Sequence, residues 1–145
     1  MGIYDDAFIH DLEQTGFGDH VKVLKDPAEF LDTFERKFVF DGSKIDWTLT
    51  DNHCTGESNN ESVLQDAIHF INRIKEKYLN NSTRVLYIGD SLTEYGYLFE
   101  LKDLDKILIC ILDIPQHHYI FPEGCEWCLC ISTENYLDYG FSLKS

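Results

Sequence analysis

Residues 114–142, IPQHHYIFPEGCEWCLCISTENYLDYGFS, decide the fold class. Within them, 117–121 reads as one strand, 126–132 as a second and 136–141 as a third. Phe121-Pro122-Glu123-Gly124 puts proline and glycine where a type I turn takes them. On the middle strand Trp127, Leu129 and Ile131 point to one face, and Glu126, Cys128 and Cys130 to the other. Apolar side chains at both parities make this strand framework. The expectation is a three-stranded meander.

Upstream, residues 84–88 (RVLYI) form a short continuous apolar run, the pattern of a central strand buried on both faces. Leu101, Leu104, Ile107, Leu108 and Ile111 recur at helical steps. They predict a helix over 101–112 stopped by Pro115, in preference to a strand through the β-branched run KILICIL. The strongest helical pattern is Leu64, Ala67, Ile68, Ile71, Ile74 and Tyr78. It follows the capping-box sequence Ser58-Asn59-Asn60-Glu61 and closes at Asn80 and Asn81. Arg73, Lys75 and Lys77 lie in its last turns, where positive charge suits the helix dipole.

Asp26-Pro27-Ala28-Glu29 opens a helix over 27–37, with the aspartate as cap and the proline at the first helical position. A weaker helix is predicted over 4–15. Asp41-Gly42-Ser43 joins 38–40 to an alternating strand over 45–50, and 51–60 reads as a polar loop. Strands and helices without regular alternation predict one α+β domain over 1–145. Its sheet is expected to be mixed or mostly antiparallel, with the C-terminal meander and three to four packed helices.

The charge is unevenly placed. The chain carries 26 acids against 12 bases, a net charge of −14. Residues 45–72 and 107–143 together hold ten of those acids and no Lys or Arg. Segregated charge marks a binding field better than a high total does. Such a field repels nucleic acid and anionic membranes and speeds encounter with a cationic protein. No basic n-region with an apolar h-region opens the chain, no run reaches the length of a membrane span, and the five cysteines are an odd count. A cytoplasmic protein with reduced thiols is expected.

Two constellations bear on chemistry. Gly89-Asp90-Ser91-Leu92-Thr93 is similar to the nucleophile block of GDSL-type hydrolases. Only 54 residues follow Ser91, Asp113 and His117 are spaced one residue too far apart for an Asp-x-x-His, and no Gly-x-Asn-Asp block supplies an oxyanion stabiliser. The block reads as a turn leaving a buried strand. His117, His118, Cys125, Cys128 and Cys130 could satisfy tetrahedral zinc, but a strand would turn Cys125 and Cys128 to opposite faces. One histidine is expected in the core and one exposed, with the cysteines as small apolar residues. Phosphate-binding glycine loops are missing from the sequence. The expectation is no catalytic residue, no cofactor and no metal.

Ile114-Pro115-Gln116-His117-His118-Tyr119, Trp127-Cys128, Thr133-Glu134 and Gly140-Phe141 together resemble immunity proteins of bacterial contact-dependent growth inhibition systems. Tyr87-Ile88-Gly89-Asp90-Ser91 and Leu112-Asp113 extend the likeness over residues 84–142. The resemblance implies a non-enzymatic cytosolic inhibitor of a cognate toxin C-terminal domain, expected to be a nuclease, with tRNA among the substrates of such toxins. Its partners would include neither nucleic acid nor membrane. Asp46, Asp51, Glu57, Glu123, Glu126, Glu134, Tyr136 and Asp138 are the candidate toxin-binding residues; a merely solvated acidic face is the alternative. A nucleic-acid mimic that blocks a DNA-binding enzyme is the rival reading, and a small GDSL-type esterase a more distant one.

Overall fold

The computed structural model describes residues 2–42, 44–78 and 83–143. Seven strands, β1 (Lys22–Leu24), β4 (Thr50–Glu57), β5 (Arg84–Gly89), β6 (Gly96–Glu100), β7 (His118–Pro122), β8 (Trp127–Ile131) and β9 (Tyr136–Ser142), form an antiparallel sheet ordered β1-β6-β5-β7-β8-β9-β4. A separate hairpin joins β2 (Phe40–Asp41) to β3 (Lys44–Ile45). Among the described residues the α-helices are α1 (Ile3–Gln14), α2 (Ala28–Lys37), α3 (Val63–Tyr78) and α4 (Leu104–Leu112). The architecture is α+β, with β7, β8 and β9 as a C-terminal meander.

Strand parity explains the layers. Val85 and Tyr87 of β5, Ile120 of β7, Trp127, Leu129 and Ile131 of β8, and Leu137 and Tyr139 of β9 face one side. There they meet Phe8 and Leu12 of α1, Phe70, Ile71 and Ile74 of α3, and Leu104, Ile107, Leu108 and Ile111 of α4. Leu86, Ile88, Leu98, Tyr119, Phe121, Cys128 and Cys130 face the other side. That side is covered by α2, through Phe34, by Phe38 just after it, and by Ile45 of the hairpin. Phe34 stacks on Phe121 with ring centroids 4.2 Å apart and planes 7° from parallel. Both parities of β5, β7 and β8 are therefore buried, and these strands read as continuous apolar runs.

Several expectations need correction. Residues 51–60 are not a loop; most of them belong to β4, whose exposed polar residues mark a sheet edge. Trp47, Thr48 and Leu49 form a 3-10 turn instead of continuing a strand, because the Asp46 carboxyl accepts from Thr48 N–H at 3.1 Å and caps it. The polar and aromatic stretch after Gly89 reads as a loop but holds strand β6, and β1 is a strand that no sequence pattern marks. The cap before α3 is Asn59, whose Oδ1 accepts from Glu61 and Ser62 N–H, while Ser58 Oγ donates to Asp66. Asp26 does accept from Ala28 N–H at 3.3 Å, but Pro27 lies just before the helix. The β7–β8 turn runs from Pro122 to Cys125, one residue later than predicted, closed by Cys125 N–H donating to the Pro122 carbonyl at 2.9 Å. The predicted stop at Asn80 and Asn81 lies outside the described residues.

Phe34 is the main anchor of α2 on the sheet. Phe34→Ala should cost about 3–5 kcal/mol in a urea or thermal unfolding measurement. A loss well below that would show that α2 is held by its flanks instead.

Candidate functional site

The hydrolase-like block is a structural turn. Asp90 Oδ1 accepts from the His117 N–H at 2.9 Å and from the Ser91 hydroxyl at 3.2 Å. No imidazole is bonded to Ser91 among the described residues. The loop after Asp90 is held instead by two buried side chains from elsewhere in the chain. Gln116 Oε1 accepts from the N–H groups of Ser91, Leu92 and Thr93 at 3.3, 2.7 and 3.2 Å. Asp5, fully buried on α1, accepts from Glu94 and Tyr95 N–H and from the Tyr97 hydroxyl.

The Gln116 amide continues inward, donating through Nε2 to Thr93 Oγ1 at 2.8 Å and to the Tyr87 hydroxyl at 3.0 Å. The Tyr87 hydroxyl is in turn hydrogen-bonded to His118 Nδ1 at 2.7 Å. His118 is a neutral imidazole whose ring also bonds the Ile114 carbonyl. Burial first, and then the neighbouring His117, pull its pKa down to about 3. Burial also pushes the Tyr87 phenol up. The chain of donors ends on a backbone carbonyl and leads to no exposed acceptor, so it fixes geometry. Gly89 is required beside it, since a Cβ there would fall 1.8 Å from Gln116 Nε2.

Both histidines are buried, which corrects the expectation that one is exposed. His118 is in the core, and His117 lies at the sheet end with Nδ1 accepting from Thr133 N–H at 3.0 Å. The cysteines depart from the expected parity too. Cys125 has a left-handed backbone, φ 58°, and joins Cys128 and Cys130 on the α2 side of the sheet. Burial raises all three thiols, Cys125 to about 11. Among the described residues no group of three or more His, Cys, Asp or Glu is placed to hold a metal, and no helix is long and apolar enough to cross a membrane.

The eight candidate binding residues separate into two groups. Glu57 lies opposite Tyr136, and Thr55 opposite Asp138, so Glu57, Tyr136 and Asp138 share the α2 side of the β9–β4 edge. Glu134 begins the adjoining turn. Asp51, opposite Phe141, is near the other end of the strands, where Glu123 and Glu126 also lie. Asp46 is used as a cap. Tyr136 is 44 % exposed, the large aromatic of the first group that is open to solvent.

The fold also brings bases to this face that the sequence keeps apart from it. Lys44 Nζ sits 2.5 Å from Glu134 Oε1, and with Thr133 it holds the Glu134 carboxyl down at about 2. Arg84 lies 3.6 Å from Glu123. Asp138 accepts from His53 Nε2 at 2.8 Å, and His53 in turn stacks on Trp47 with planes 5° from parallel. Gly140 lets that layer close down, since a Cβ would meet Thr50 Oγ1 at 2.8 Å and Trp47 Cε3 at 3.3 Å. Asp51, Glu57, Glu126 and Tyr136 remain the exposed members outside these ion pairs.

Gly89→Ala and Gln116→Ala should each cost about 2–4 kcal/mol, and the double variant less than their sum, because both break one network. Chemical denaturation of the three variants tests this. His118 takes up its proton in the unfolded chain near 6.5 but in the folded chain only near 3. Its contribution is complete above pH 6.5 and falls as pH drops from there toward 3. The loss should reach about 2 kcal/mol at pH 5. A His118→Gln variant, less stable at neutral pH, should show a flatter dependence between pH 7 and 5 in the same measurement. Neither the protein-family models nor the curated proteins compared with the chain give a match.

Proposed function

We propose that this chain is a cytoplasmic immunity protein of the contact-dependent growth inhibition type, a stoichiometric inhibitor that binds a basic toxin domain. The observation that carries the reading is an exposed tyrosine set among acids at one sheet edge. Tyr136 stands opposite Glu57 and beside Asp138 and Glu134, in a chain of net charge −14. Aromatic anchors in a ring of polar groups supply most of the affinity at protein interfaces, while complementary charge sets the association rate. A nuclease toxin presents a basic surface to its phosphate substrate, and an acidic inhibitor can occupy that surface. Its action needs no catalytic group, cofactor or metal from this chain.

The test is co-expression with the toxin domain encoded immediately upstream of its gene. A one-to-one complex and rescue of growth are expected. Tyr136→Ala should weaken the complex about tenfold to a hundredfold, chiefly by faster dissociation. Glu57→Lys should slow association, and the difference should shrink as salt shortens the reach of charge to about 8 Å at physiological strength. Absence of a complex at that salt would overturn the proposal. Inhibition of unrelated DNA-binding enzymes would point to a nucleic-acid mimic.

A further inference from the structure

The edge of β4 is open in a way that specifies what can add to it. Ser58 N–H donates inward to the Asn135 carbonyl at 2.9 Å. By the alternation of a strand, the N–H and C=O groups of Thr55 and Glu57 then point away from β9. Among the described residues no element pairs with that side of β4. On the opposite end of the strand, the register shift between Asp51 and Cys54, with Asn52 at φ 53°, breaks the ladder. The usable edge is therefore 54–58.

The two faces flanking this edge differ. Thr55 and Glu57 share a face with Tyr136 and Asp138, which is acidic. On the other face Cys54 and Gly56 look toward α3, and a groove of about 270 Å³ runs along the edge between Cys54, Thr55, Phe70, Ile74, Arg73 and Lys77. An added strand would place alternate residues on these faces. Those beside Glu57 and Asp138 meet negative charge. Those in the groove meet half-buried Cys54 over a floor formed by the buried Phe70 and Ile74, with Lys77 and Arg73, whose guanidinium lies 5.7 Å from the Phe70 ring centroid, at the rim to repel a cation.

We propose that β4 is a strand-addition site for an extended segment of a partner protein in which basic residues alternate with apolar ones. The partner's main chain would bond to Thr55 and Glu57, its Lys or Arg side chains would lie over Glu57 and Asp138, and its apolar side chains would enter the groove under α3. Main-chain pairing of this kind gives affinity, and the alternating pockets give specificity. A second copy of this chain is a poor occupant, because it would set Glu57 and its neighbours against like charge. The proposal rests on the reading that the chain binds a basic protein, and it names the element that does so.

The first test needs only this chain. A disulfide-cyclised hairpin peptide whose outer strand alternates lysine and valine is titrated in while amide exchange is followed by NMR. Protection of the Thr55 and Glu57 amides is expected. Thr55→Pro removes an outward N–H and no bond to β9, so it should fold, which the spectrum itself verifies, and bind about tenfold more weakly or worse. Glu57→Lys should favour a glutamate–valine peptide over the lysine–valine one. Unprotected Thr55 and Glu57 amides at saturating peptide, unchanged binding by Thr55→Pro, or pairing of the chain with itself at this edge would overturn the proposal. The toxin complex then separates the two readings. A wild-type complex left intact by Thr55→Pro defeats the edge alone, whereas no wild-type complex alongside peptide binding defeats the toxin and leaves the edge.

Discussion

The Gln116 side chain is the interaction on which the centre of this structure depends. One amide organises three successive backbone N–H groups of the loop after β5, and on its other end orients Tyr87 and through it His118. Leaving any of these polar groups unpaired in the core would cost more than the bonds contribute in water. Asp5 does the same work for the next two N–H groups and ties α1 to the sheet. The β5–β6 connection can therefore pass close to the core with its N–H groups from Ser91 to Tyr95 all bonded, and β6 emerges in register with β5.

What the sequence displays well is whatever a single periodicity controls. The runs that became α3, α4, β5 and the meander are apolar in patterns that their burial explains directly. β4 was hidden because an edge strand with open outer groups buries little, and its residues, TDNHCTGE, look like a loop. β6 was hidden behind glycine and tyrosine, yet Tyr97 is buried against Phe8 with Asp5 accepting its hydroxyl. Trp47 alternates correctly for a strand but answers to the Asp46 cap beside it. In each case a contact distant in the chain, or a local side-chain bond, overrides the pattern.

Charge behaves in the same way. Two base-free stretches become neighbours through the β4–β9 pairing, as their shared sign would favour for a binding face. But Lys44, one residue outside the first stretch, and Arg84, between the two, reach in and pair with Glu134 and Glu123. Such exposed pairs add little to stability. They matter by thinning the negative field at two of its expected centres, and so leave the region around Glu57 and Tyr136 as its sharper part.

The pairing of β4 with β9 has one more consequence. These strands are joined in space yet lie at opposite ends of a long loop of chain, with α3, the sheet centre and α4 between them. During synthesis β4 leaves the ribosome early and has no partner until β9 has followed. Long-range pairing of this sort comes late in folding, after local contacts have formed. The acidic edge is thus among the last surfaces to exist on a nascent molecule, and a chain stalled before β9 carries its own acids on a segment with no sheet to display them.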